Sequence, residues 1–127
     1  KHDISVPVSK VGEFVARASA WAESAVPGVR VIAFGHLGDG NVHFNLSQPV
    51  GADPAAFLAR WDELAAGVHQ IAVDFGGSFS AEHGIGSLKV GELERWRGGT
   101  ALELMRAIKA VLDPHDIMNP GKLLRAR

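Results

Sequence analysis

The sequence predicts an α+β fold: a ferredoxin-like, split βαβ antiparallel sheet with helices packed on one face, followed by C-terminal helices. Hydrophobic periodicities carry this prediction, because they run β-α-β-β-α-β before the last helices. Length agrees, since 127 residues suffice for one buried core. Apolar and charged fractions of 46% and 21% are those of an ordinary globular domain.

The first strand is predicted over residues 3–8, where apolar and polar side chains alternate. Pro7 has no N–H to donate to a neighbouring strand, which favours an edge position. Ser9 is placed to cap a helix whose apolar residues recur at helical spacing until Pro27. A hairpin follows, with strands over residues 29–34 and 42–47 joined by a glycine-rich turn.

A long helix is predicted from Asp53, a good cap before a proline, to Phe75. A glycine pair ends it, and a short extended piece over residues 78–81 supplies the last strand. Two more helices follow. The first runs from Gly86 to about residue 96. The second begins at a capping box, Thr100 with Glu103 three residues later, and continues to residue 112.

Composition excludes several classes of function. A net charge of −1 gives no bulk attraction to nucleic acid or to an anionic membrane. The absence of cysteine excludes disulfides, thiolate ligands and cysteine nucleophiles, and fits a reducing compartment without proving one. A bacterial-type cytoplasmic location is the expectation, and the compartment stays open. No apolar run approaches the roughly 20 residues of a membrane span. Because the chain begins with Lys1, we expect a piece of a longer protein.

Two segments contain most of the chemistry-bearing side chains. Residues 35–45 hold two histidines, an aspartate and two asparagines among three glycines. Residues 78–86, roughly 40 positions further on, form a second polar segment that folding could bring beside the first. The candidate site lies where these segments meet.

His43 and Asn45 are two positions apart on a predicted strand, so both point to the face away from the helices. His36 lies at the other end of the turn, where it can approach His43. A carboxylate from Glu82 would complete a set of two nitrogens and one oxygen, suited to a metal with open positions for substrate. His83 follows in an extended segment, points elsewhere and is a candidate general base.

Plainer interpretations stay open at this point. A turn histidine is commonly solvated, and Asp39 beside Gly40 is ordinary turn chemistry. The seven-residue spacing from His36 to His43 is not an established ligand signature. The residues therefore also allow a non-catalytic ligand-binding module of the same fold, or a metal-assisted hydrolase.

At these segments the chain resembles the C-terminal (cap) domain of FAD-linked oxidases of the vanillyl-alcohol-oxidase superfamily, in the branch of D-lactate, glycolate and D-2-hydroxyglutarate dehydrogenases. Residues 35–43 resemble the motif G-H-x-G-D-G-N-x-H, and residues 77–86 resemble G-x-x-S-x-E-H-G-I-G. Residues 113–122 resemble D-P-x-x-I-x-N-P-G-K, and residues 1–7 are similar to K-x-D-[IV]-S-[VL]-P. The resemblance covers essentially the whole chain.

The resemblance implies a role for each matching residue. His36, His43 and Glu82 match positions that bind a divalent metal, commonly zinc, and His83 matches the proposed base. Lys1 and Asn45 match positions that contact substrate. Asn119 falls where the family's C-terminal turn returns toward the flavin.

The implied activity is that of a FAD-dependent D-2-hydroxy-acid dehydrogenase, in which hydride passes from substrate C2 to flavin N5. Residues 1–127 would be the C-terminal part of the cap, or substrate, domain. FAD would be bound mainly by an N-terminal flavin domain of the same polypeptide, which the sequence does not include. We therefore expect no turnover from these residues alone. A homodimer stays open.

Overall fold

A computed structural model describes residues 1–126 as two compact units, Lys1–Glu82 and a second unit that begins at His83. The elements are β1 (His2–Ser5), a 3-10 turn (Val8–Lys10), α1 (Val11–Ala25), β2 (Arg30–His36), β3 (Asn41–Ser47), α2 (Pro54–Leu58), α3 (Trp61–Asp74), α4 (Val90–Trp96) and α5 (Thr100–Leu112). The predicted α+β class is confirmed. Within residues 1–126, no helix has the length and apolar character that crossing a membrane requires.

The sheet of the first unit is antiparallel, with strand order β1-β3-β2. On the free edge of β1, Ser5 and Ser78 exchange two backbone hydrogen bonds of 3.0 and 2.8 Å. The extended piece predicted over residues 78–81 therefore pairs through a single bridge. The last predicted strand is thus reduced to one bridge, and the sheet of the described residues has three strands.

Helices α1 and α3 cover one face of this sheet. Ile4, Phe14, Phe44 and Val68 are fully buried at this interface and form its core. Because side chains alternate along a strand, burial of Phe44 turns His43 to the other face, as the sequence predicts.

The single helix predicted over residues 53–75 is wrong, because α2 and α3 are separate. Asp53 caps α2 as predicted, and its carboxylate accepts a hydrogen bond from the N–H of Ala55 at 3.0 Å. Arg60 leaves helical geometry, with ψ of 12°, and its Nη1 donates to the main-chain oxygen of Ala25 at 2.9 Å. This long-range bond fixes the bend, whereas the apolar periodicity continues through it.

Two predicted caps are also wrong. A 3-10 turn precedes α1, so Lys10 takes the N-cap position and Ser9 lies within the turn. Helix α5 already begins at Thr100, after a left-handed Gly99 with φ of 69°, and no side chain caps it. The capping box from Thr100 to Glu103 is therefore absent.

In the second unit, α4 begins later than predicted because Gly86 has a left-handed φ of 57°. Asp113 closes α5: its buried carboxylate accepts hydrogen bonds from the N–H groups of Ile117 at 3.0 Å and Met118 at 2.9 Å. The hydrogen bond from Lys109, aided by these two N–H groups, lowers the pKa of Asp113 from 3.8 to about 2, although burial opposes the shift. The carboxylate thus stays ionised at neutral pH.

Gly67 allows α3 to pack closely on α1. A methyl group there would lie 1.9 Å from Cζ2 of Trp21.

Although alanine is the better helix former by about 1 kcal/mol, we expect Gly67→Ala to lower the free energy of unfolding by roughly 1–3 kcal/mol through overpacking. Urea unfolding of the intact protein measures this. Gly12→Ala, in α1 with no atom within 4 Å of the new methyl group, is the matched control and should be neutral or mildly stabilising. Equal effects of the two substitutions would contradict the packing argument.

Candidate functional site

The turn between β2 and β3 is held in place by close backbone contacts. A Cβ at Gly35 would lie 2.2 Å from the main-chain oxygen of Asn41, so only glycine fits there without a shift. Gly40 has φ of 75°, and its carbonyl accepts a hydrogen bond from the N–H of Val6 at 3.1 Å. Asp39 closes the turn by accepting from the N–H of Asn41 at 3.0 Å. The glycines therefore fix the backbone positions of the flanking residues His36 and His43.

The histidines lie on the sheet face opposite the core. In the strand register, His36 faces Asn41, and His43 lies between Phe34 of β2 and Asp3 of β1. The ring of Phe34 packs against His43, with a centroid distance of 5.1 Å. His43 is 18% exposed and His36 is 65% exposed, so solvent or a small molecule reaches both.

Glu82 links the two histidines. Its Oε1 lies 3.2 Å from His36 Nδ1, and its Oε2 lies 3.5 Å from His43 Nε2. The segment that carries Glu82 runs along the free edge of β1, where the N–H of Ala81 donates to the carbonyl of Asp3 at 3.2 Å. Glu82, which is distant from both histidines in the sequence, thus contacts each of them.

Asp3 also belongs to this cluster, and sequence reasoning assigned it no role. Its side chain is 2% exposed, and its Oδ2 accepts hydrogen bonds from the N–H groups of Ala81 at 3.1 Å and Glu82 at 2.8 Å. Its Oδ1 lies 3.7 Å from His43 Nδ1 and accepts from Asn41 Nδ2 at 3.5 Å. The available signal was its match to the aspartate of the opening motif K-x-D-[IV]-S-[VL]-P.

The donor chemistry of this cluster fits a divalent metal. Asp3, His43 and Glu82 each offer a ligand atom, and these atoms lie within 4.8 Å of one another. His36 is not in this group of mutually close atoms, and its described contact with it is the one between its Nδ1 and Glu82 Oε1. Imidazole nitrogens and a carboxylate oxygen are typical zinc ligands, and a set of three leaves a coordination position for substrate. The arrangement can therefore hold an ion and present it to a bound small molecule.

Two other predicted site residues are neighbours of this cluster, one in the strand and one in the sequence. Asn45 is in β3, opposite Ile32 of β2, on the same face as His43. His83 directly follows Glu82, is exposed, and is the first residue of the second unit. Neither placement tests its predicted role.

The last two predicted residues lie elsewhere. Lys1 is exposed, precedes β1, and borders a cavity of about 170 Å³ that Leu46 and Trp61 also line. Asn119 lies in the second unit with φ of 50°, beside a groove of about 620 Å³ that is lined mainly by apolar side chains such as Ile108. The substrate role of Lys1 and the flavin role of Asn119 stay predictions.

Comparison with known proteins places this chain in a family. The family model described as FAD linked oxidases, C-terminal domain, matches residues 1–123, and the chain belongs to this family. A D-2-hydroxyglutarate dehydrogenase of Xanthomonas citri pv. viticola is 44% identical over 123 residues, which are 97% of this chain and 26% of that protein. The family resemblance predicted from the motifs is thereby confirmed.

Two further relatives are also dehydrogenases that match nearly the whole of this chain. A D-2-hydroxyglutarate dehydrogenase of Stutzerimonas stutzeri is 40% identical over 99% of this chain and 27% of its own length. A D-lactate dehydrogenase of Archaeoglobus fulgidus is 41% identical over 97% of this chain and 26% of its own length. The chain thus spans about a quarter of the length of the curated relatives it matches.

Proposed function

We propose that this chain is the substrate- and metal-binding C-terminal portion of a FAD-dependent D-2-hydroxy-acid dehydrogenase, an oxidoreductase that acts on the CH–OH group of 2-hydroxy acids. Family membership and the names of the relatives support the reaction class. The observation that carries the proposal is the contact of Glu82 with both His36 and His43 on the open sheet face. The cysteine-free composition supports a reducing compartment such as the cytoplasm.

In this proposal, His36, His43 and Glu82 hold a divalent metal, with zinc as the first choice. A metal bound there would supply positive charge that lowers the pKa of the substrate hydroxyl group. The three residues come from two strands and an edge segment, so the fold of the first unit sets their spacing. The 43% exposure of Glu82 leaves room for a substrate on the solvent side.

The remaining residues act on the substrate itself. His83 accepts the hydroxyl proton on an imidazole nitrogen, while the C2–H bond breaks with its electron pair and a 2-oxo acid forms. Lys1 neutralises the substrate carboxylate as a point charge, and Asn45 donates a hydrogen bond to the substrate. An N-terminal domain of the same polypeptide would hold most of the FAD and Asn119 would approach it, and the bound flavin would supply the hydride acceptor at N5.

Elemental analysis of the intact protein tests the metal ligands. We expect about one zinc per flavin in the wild type and a loss of most of it in His36→Ala and His43→Ala, because each variant removes one of three protein ligands. His115→Ala is the control, since His115 is exposed in the second unit. Unchanged metal content in both site variants would contradict the ligand assignment.

The absorbance spectrum of the same samples tests the reaction class. The proposal predicts flavin bands that bleach on anaerobic addition of D-lactate or D-2-hydroxyglutarate. A protein with zinc but no flavin bands would favour the metal-assisted hydrolase. Flavin bands that no D-2-hydroxy acid bleaches would favour a ligand-binding module without catalytic function.

A further inference from the structure

We propose that Asp3 is a positioning residue for the metal site: it sets the orientation and tautomer of His43 and holds the segment that carries Glu82. The inference rests on the proposed metal function. Asp3 is a buried carboxylate that contacts both segments, because it lies beside the ring of His43 and accepts a hydrogen bond from the backbone N–H of Glu82.

The first step concerns His43. Its Nε2 faces Glu82, and its Nδ1 faces the carboxylate of Asp3 at 3.7 Å. A buried carboxylate repels the lone pair of a neighbouring ring nitrogen and attracts its N–H. Glu82 Oε2 acts on Nε2 in the same way from 3.5 Å, but Glu82 is 43% exposed and screened by water, whereas Asp3 is 2% exposed. We therefore expect the ring proton on Nδ1, which leaves the Nε2 lone pair for an ion. Carboxylate–histidine–metal arrangements in proteins work in this way.

The second step concerns Glu82. Asp3 Oδ2 accepts the N–H groups of Ala81 and Glu82, at 3.1 and 2.8 Å. These bonds fix the backbone from which the Glu82 side chain extends, beyond the single bridge between Ser5 and Ser78. Without them, the described ties of this segment to β1 would be the bond from the N–H of Ala81 to the Asp3 carbonyl and the bridge at Ser5.

The same contacts argue against Asp3 as a metal ligand. Its side chain is 2% exposed, whereas Glu82 is 43% exposed. Ligation through Oδ2 would compete with two backbone hydrogen bonds, and ligation through Oδ1 would disturb the contact with Asn41. A carboxylate that accepts several N–H groups is better suited to orient ligands than to bind the ion.

Zinc affinity of the intact protein, measured by competition with a chelator, tests the inference through Asp3→Asn. The carbonyl of the new amide can still accept the backbone N–H groups, but its NH₂ then faces His43 Nδ1 and favours the wrong tautomer. We expect zinc binding to weaken about 10- to 100-fold, as for other outer-shell partners. Asp113→Asn is the matched control, because Asp113 is also buried and also accepts two backbone N–H groups, but it pairs with Lys109.

Nitrogen-15 spectra of histidine-labelled, metal-free wild type give a second test that needs no Asp3 variant to fold. The His43 signals of the wild type, assigned with His43→Gln, should show a proton on Nδ1. A folded Asp3→Asn protein should in addition show this proton on Nε2. An Nε2-protonated ring in the wild type, or equal zinc affinity of wild type and Asp3→Asn, would overturn the role of Asp3 alone. A wild type that takes up no zinc would instead overturn the proposed metal site.

Discussion

Glu82→Gln should remove zinc and turnover together from the intact protein. Glutamine keeps the shape of the side chain, but it lacks the charge and turns an amide NH₂ toward one of the two imidazoles that Glu82 contacts, at 3.2 and 3.5 Å. Loss of the metal charge at the substrate oxygen costs several kcal/mol of transition-state stabilisation. At about 1.4 kcal/mol per factor of ten, we expect kcat/KM to fall by roughly 1,000-fold.

Initial rates with a D-2-hydroxy acid, together with elemental analysis of the same preparation, measure both effects. Glu13→Gln is the control, since Glu13 is exposed in α1 and pairs only with Lys10 among the described ion pairs. Retention of zinc and of the wild-type rate by Glu82→Gln would exclude Glu82 as a ligand. Loss of the rate with full zinc content would give Glu82 a different role at the site.

His83→Ala should lower kcat and leave the metal in place. If His83 accepts the substrate hydroxyl proton, its removal should cost about 100- to 10,000-fold in kcat, as for other general bases. Because the ligand positions His36, His43 and Glu82 are unchanged, zinc and flavin content should match the wild type. This separates a base from a ligand, although His83 and Glu82 are neighbours in the chain.

Added imidazole provides the decisive control for this variant. A small base that enters the space left by the side chain should restore part of kcat in His83→Ala but not in Glu82→Gln. Ordinary activity of His83→Ala would contradict the assignment of the base. It would also favour a role for this portion of the chain in binding alone.

Local sequence patterns were enough to predict the parts of the fold that the alternation of apolar and polar residues determines. The hairpin and the outward direction of His43 follow from the buried neighbours Val42 and Phe44. The break at Arg60 could not be predicted, because a bond to the carbonyl of Ala25 at the end of another helix fixes it and the local periodicity does not change. Tertiary hydrogen bonds override helix propensity in such places.

The candidate site was likewise predictable in part from local motifs and in part only from tertiary contacts. The motifs indicated His36, His43 and Glu82, and the structure brings Glu82 into contact with both histidines. Asp3 was missed because its importance lies in contacts with residues 81 and 82, at the far end of the first unit in sequence. Such pairing between β1 and its edge segment depends on the whole sheet. Charge and periodicity within residues 1–7 do not reveal it.

Anomalous X-ray scattering from crystals of the intact, zinc-loaded protein tests the metal site most directly. Data collected on either side of the zinc absorption edge should give one strong peak at roughly 2.0–2.2 Å from His36 Nδ1, His43 Nε2 and a carboxylate oxygen of Glu82. A zinc peak away from these three side chains, or none at this site in protein shown to contain zinc, would contradict the proposed metal-assisted oxidation.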